Sequence, residues 1–358
     1  MDLYESKEFE NSTVGVYILD EPRRIIGYGG QGWVELASNV DEAGNTKYII
    51  KFSRQEEGSH EYNIMRQLYH PHIIKVFGFY HPIHRMNRNG EIVIVSALVM
   101  EYAKNGDLFS LANKSVFGTS EEKYIDGNES IVRILFTQLV DAVEHCHSQG
   151  IVHLDIKTEN VLLDDAWNVK LTDFGLAMKG YDHHVIQGTR MYFPPELFTS
   201  ITEYDGRKVD IFSLGVVLFI MIMGYQPWKK TDDVFYNCIR TKDFESFWRL
   251  HAKYGRVLSK SVQFLLTRMF EDADFRITID GIKKSKWFMT PIYIEKEKLV
   301  TRFDNAQNKE GRIRKRSNSK KMSKSNYSRN RYKIRNSKSK LYKVTKLKQL
   351  KIPKMVRY

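Results

Sequence analysis

The chain has 358 residues, 42% of them apolar, enough to bury a sizeable core. Its two cysteines, Cys146 and Cys238, lack CxxC spacing; they exclude a disulfide-built scaffold and read as buried free thiols of a reducing compartment. The net charge of +13 is unevenly spread: residues 311–358 hold nineteen Lys and Arg and no acid, leaving −6 on residues 1–310, so attraction to anionic partners belongs to the tail alone.

Residues 1–22 read as a polar, acidic leader without the profile of a secretory signal. From Arg23 to about Val40 the pattern is strand, glycine-rich turn, strand, and the β-branched and aromatic run Tyr48–Phe52 is a further strand. Glu57–Leu68 has helical spacing, followed by strand-like runs over Ile73–Tyr80 and Glu91–Met100. After Gly106 the balance shifts to helix. Ser130–Ser148 puts Ile131, Leu135, Leu139, Val143 and Cys146 on one face, and Ser261–Phe270 is also helical. Ile211–Gly224 is the longest apolar stretch and too short to cross a bilayer, so it predicts a buried core helix. Beyond about Met289 the apolar period fades. From Gly311 the Lys, Arg, Ser, Asn and Tyr composition predicts a disordered tail.

Several short motifs lie along this frame. Gly27, Tyr28, Gly29, Gly30, Gln31, Gly32 and Val34 form GxGxxGxV, a turn whose glycines let backbone N–H groups approach phosphate oxygens. Lys51 ends a strand, where it can act as a point charge on phosphates, and Glu61 lies ten residues on in a helix. Taken singly these are as readily a ligand-free hairpin, a surface lysine and a solvated glutamate. His153-Leu-Asp-Ile-Lys-Thr-Glu-Asn160 is more specific, with a base, a cation and an oxygen ligand within six positions at Asp155, Lys157 and Asn160. Asp173-Phe-Gly175 follows, and its carboxylate with the Asn160 amide suits a hard divalent cation. A buried polar turn explains one such cluster and poorly explains both.

In this order the motifs resemble the eukaryotic protein kinase superfamily, over about Arg23 to Phe288. Leu98–Ala103 resembles a kinase hinge, Gly188–Glu196 the substrate loop, Asp210 the opening of a long central helix, and Arg276 the partner of Glu196. The resemblance implies an α+β bilobal fold: an N-lobe over about 23–103, a C-lobe over about 104–289, and a basic tail from 290 to 358. It implies ATP under the Gly27–Gly32 backbone, with Lys51 on its phosphates and Glu61 holding Lys51. Asp173 and Asn160 would bind Mg²⁺. Asp155 would be the catalytic base, Lys157 its neutralising partner, and Val34, Met100, Glu101 and Ala103 the adenine site.

Lys157 and Thr189 resemble the serine/threonine type, and Gly106-Asp-Leu108 the calcium/calmodulin-dependent and AMP-activated-like groups. Asp107 and Glu159 suggest an Arg-x-x-Ser/Thr preference. Three departures stand out: Leu154 replaces the usual arginine, Ile49 a small alanine, and no Ser or Thr lies between Gly175 and Thr189. The first and third suggest activity without loop phosphorylation, with Tyr181 as the remaining weak phosphosite, while Ile49 would narrow the adenine pocket. The alternative is a pseudokinase scaffold. Besides protein substrates, the tail's candidate partners are calmodulin, the kinase domain itself, nucleic acid and acidic membrane. The expected location is the cytoplasm, with the nucleus as alternative.

Overall fold

Strand-forming runs dominate the first hundred residues because β-branched and aromatic side chains alternate there with turn residues. In the computed structural model the described residues are 13–20, 25–29, 32–39, 47–54, 58–86, 91–112, 126–199, 203–253, 258–291, 300–301 and 303–304. One unit runs from Met1 to Phe303 and a second from Asp304 to Tyr358; of the second only Asp304 is described.

The N-lobe strands are β1 (Thr13–Val14), β2 (Tyr17–Leu19), β3 (Ile25–Gly29), β4 (Gly32–Asn39), β5 (Lys47–Arg54), β6 (Val76–Met86) and β7 (Ile92–Glu101), with helix α1 (Gly58–Met65) between β5 and β6. They form an antiparallel sheet in the order β1-β2-β4-β5-β7-β6, with β3 pairing off β4. Strand alternation sends Tyr48, Ile50 and Phe52 to one face, where they pack with Val14, Tyr17, Leu19, Ala37, Val95, Ala97 and Val99. Ile49 and Lys51 take the other face. Residues 13–19, which the sequence reading leaves in the leader, are therefore part of this core.

The C-lobe follows with α2 (Leu108–Ala112), α3 (Asp126–Ser148), β8 (Ile151–Val152), β9 (Val161–Leu163), β10 (Val169–Leu171), β11 (Met178–Lys179), β12 (Asp182–His183) and β13 (Tyr204–Asp205). Helices α4 (Gly206–Met223), α5 (Val234–Arg240), α6 (Phe244–Ala252), α7 (Lys260–Met269) and α8 (Ile279–Lys283) complete it. α4 is apolar around most of its circumference and buried from Val209 through Met221, as an interior helix must be. It begins at Gly206 rather than at Asp210. The Asp205 carboxylate accepts the Arg207 N–H at 2.8 Å and caps it, so Asp210 falls inside the helix. Among the described residues, no helix is long and apolar enough to cross a membrane. Both cysteines are free and buried. Phe303, which the sequence reading assigns to the tail, is buried with its ring 4.8 Å from that of Trp167.

Candidate active site

Lys51 sits mid-strand, opposite Val34 on β4 and Leu98 on β7, so its backbone is fixed on both sides. Its Nζ donates to Glu61 Oε2 at 2.7 Å and to Asp173 Oδ1 at 2.9 Å. Three elements distant in sequence thus meet at one ammonium. Burial lowers the Lys51 pKa, but the Glu61 and Asp173 carboxylates outweigh it and leave the pKa raised. For Asp173, burial pushes upward and Lys51 outweighs it, so the carboxyl is held below its ordinary value. Asp173 has φ +61°, a left-handed conformation uncommon outside glycine.

Asp155 is buried and fully engaged. Its Oδ1 accepts the Thr189 hydroxyl at 2.6 Å and the Thr189 N–H at 2.9 Å. Its Oδ2 accepts Lys157 Nζ at 2.5 Å and Asn160 Nδ2 at 3.2 Å. The loop carrying it hangs from α4: Asp210 accepts the N–H groups of His153 and Leu154 at 2.9 and 2.8 Å and binds His147 Nε2 at 2.9 Å. This anchoring role of Asp210 is invisible in sequence, because the partners are backbone groups some sixty positions away.

Asn160 spends its amide N–H groups on Asp155, leaving its Oδ1 without a protein donor among the described residues, as is Asp173 Oδ2. An amide oxygen and a carboxylate oxygen are the donors a hard divalent cation takes, so this pair fits Mg²⁺. No group of three or more acid, histidine or cysteine side chains that could hold a metal occurs among the described residues. A cation here would draw its other ligands from phosphate and water.

A cleft of about 600 Å³ joins these groups. Gly27, Gly32 and Val34 line it from the glycine turn, Ile49 and Met100 from the sheet, and Lys51, Glu61, Asp155 and Asp173 supply its charge. Gly32 passes so close to β5 that a Cβ would fall 1.7 Å from the Phe52 carbonyl oxygen. Trp33, Leu162 and Leu176 also line the cleft; the sequence reading missed them because core packing accounts equally well for such residues. Tyr28 and Gly29 belong to β3, whereas Gly30 and Gln31 lie outside the described residues.

Glu101 and Ala103 do not line the cleft. The Glu101 carboxylate is drawn to Lys170 at 2.6 Å and to the Lys75 N–H at 3.1 Å, and its own N–H donates to the Lys75 carbonyl at 2.9 Å. The Ala103 N–H has no protein acceptor among the described residues.

The segment from Asp173 to Glu196 is tied down by contacts of its own. β12 pairs with β13, Tyr204 donates to the Val185 carbonyl at 2.7 Å, and Gln187 donates to the Leu176 carbonyl at 2.7 Å. Tyr181 donates its hydroxyl to the His147 carbonyl at 2.7 Å, and the Arg207 guanidinium lies 3.9 Å from its ring centre. Leu154 takes φ +63° and is buried against Phe193 and Val209. At the end of the segment Glu196 accepts both Arg276 guanidinium nitrogens at 2.6 and 3.0 Å, the pairing expected from sequence.

The family model of the protein kinase domain matches residues 21–288. The chain belongs to the protein kinase family. The chain is 33% identical over 257 residues to CBL-interacting protein kinase 11 of Oryza sativa subsp. japonica, covering 70% of this chain and 46% of that protein. It is 31% identical over 316 residues to CBL-interacting serine/threonine-protein kinase 13 of Arabidopsis thaliana, covering 82% and 57%. With CBL-interacting serine/threonine-protein kinase 24 of Arabidopsis thaliana it shares 33% over 305 residues, covering 80% and 61%. The kinase chain spans about half the length of the curated relatives it matches.

Proposed function

We propose that the chain transfers the γ-phosphoryl group of ATP to serine or threonine hydroxyls of protein substrates. The observation that carries this reading is Lys51 held between Glu61 and Asp173 in the same cleft as Asp155. Phosphoryl transfer asks a protein mainly for positioning and charge neutralisation. Lys51 meets the nucleotide phosphates, and the β3–β4 turn covers them. Asp173 and Asn160 hold Mg²⁺, which neutralises phosphate charge when bound. Asp155 accepts or orients the substrate hydroxyl proton, and Lys157 stabilises charge developing on the transferred group. Val34, Ile49 and Met100 enclose adenine. The complete set of charged groups argues against a scaffold without transfer. The test is γ-phosphate transfer to a basic serine peptide: Asp155→Asn and Lys51→Met should each cut it by about a hundredfold or more, and a wild type no better than either would end the reading.

Two finer readings follow. Asp107 and Glu159 both line the cleft, and neither is in an ion pair among the described residues, which supports a preference for arginine three positions before the acceptor. Asp107→Asn with Glu159→Gln should erase the difference in kcat/KM between Arg-x-x-Ser and Ala-x-x-Ser peptides. Activity should also not require loop phosphorylation, since the segment is tied down by Tyr204, Gln187 and Tyr181. Phosphatase-treated protein that is inert until another kinase acts on the loop would refute this.

A further inference from the structure

A second cavity, of about 500 Å³, lies on the outer side of α1, where Met178 and Lys179 of β11 approach it. His60, Arg66 and Lys179 line it with the side-chain amides of Asn63 and Gln67, and Met178 supplies an apolar wall. No carboxylate lines it. Arg66 and Lys179 are exposed and pair with no carboxylate of a described residue; the Arg66 guanidinium lies 6.0 Å from the Tyr62 ring centre. His60 Nε2 donates to the Ala177 carbonyl at 2.8 Å, tying α1 to the start of the activation segment. That bond holds the ring in place with Nε2 as the donor.

We propose that this cavity is a binding site for a phosphate monoester carried on a side chain of a partner protein. Two cations without a carboxylate partner among the described residues, Arg66 and Lys179, with the Asn63 amide beside them, suit a dianion with three acceptor oxygens. The apolar wall suits the stem that carries it. The activation segment itself does not supply the phosphate, because it has no Ser or Thr between Gly175 and Thr189 and the Tyr181 hydroxyl is already bonded to the His147 carbonyl. An occupant would bridge α1, which carries Glu61, to β11, which follows Asp173, and so hold together the two carboxylates that grip Lys51. The effect on rate rests on the phosphoryl-transfer reading; the binding does not.

The experiment titrates the full chain with a short neutral phosphoserine peptide, its unphosphorylated twin and inorganic phosphate, and compares wild type with Arg66→Ala/Lys179→Ala. Mg-ATP affinity and Tm serve as folding controls, since both residues are exposed and outside the cleft. The phosphopeptide should bind wild type and lose about tenfold or more in the double variant, and binding should weaken as salt rises. Equal binding to wild type and variant, or to the peptide with and without phosphate, overturns the site. Inorganic phosphate binding as tightly as the peptide, and failing in the same variant, overturns the partner side chain as source and leaves a site for free phosphate. Binding is read without turnover, so its failure leaves the proposed reaction standing, and an inactive protein that binds leaves the site standing.

Discussion

Lys51 touches two carboxylates at once, so its charge and its shape can be separated by mutation. Lys51→Met should lower kcat by about 10²–10³-fold, the cost of removing one preorganised transition-state donor. Lys51→Arg should remain impaired, because a planar fork cannot reproduce a point charge placed between Glu61 and Asp173. Thr189→Ala removes one of two bonds from the same residue to Asp155 and leaves the backbone N–H in place. It should therefore cost kcat only about tenfold, as for one lost charge-assisted bond. Steady-state kinetics on a serine peptide reads all three. At this scale the sequence is most legible, since Lys51, Asp155, Asn160 and Asp173 are residue types that phosphate and metal chemistry demand. Asp210 and the full grip of Thr189 on Asp155 are not legible, because each acts on a group made adjacent only by folding.

Elements show the opposite balance. Long periodic stretches such as α3, α4 and α7 are visible as patterns, whereas short pieces such as β11, β12 and β13 are made by pairing partners and carry little signal of their own. α6 gives a pH prediction. Its His251 is packed among Phe219, Phe247 and Phe235, bonds through Nδ1 to the Tyr225 hydroxyl at 3.3 Å, and has no partner for its buried Nε2. Burial pulls its pKa down to about 4. The folded state therefore resists a proton that the unfolded chain accepts. Stability is unaffected above the ordinary histidine range and falls as pH drops through about 6.5 toward 4, by at most about 1.4 kcal/mol per unit. His251→Phe should flatten that segment of the Tm–pH curve. At the end of the activation segment, Arg276→Met strips the Glu196 carboxylate of both its bonds. It should cost about 3 kcal/mol, seen as a lower urea midpoint.

For the whole molecule, charge is the coarsest lever. Removing residues 311–358 takes the net charge from +13 to −6. If the tail presents Arg314-Lys-Arg-Ser317 to the cleft as a substrate mimic, its deletion should raise activity toward a basic peptide; unchanged rates would dismiss that role. The bilobal plan is legible from the ordered motifs, but its physical edges are not, because family resemblance ends where motifs end and packing does not. Val14, Tyr17 and Leu19 lie before the matched residues 21–288, and Phe303 lies beyond them. A gene trimmed to 21–288 would thus shear β1 and β2 from the rim of the N-lobe sheet and pull the plug beside Trp167. Each stranded apolar side chain is worth about 1.5–3 kcal/mol, so expression of that fragment should yield inclusion bodies, whereas residues 13–304 should purify from the soluble fraction.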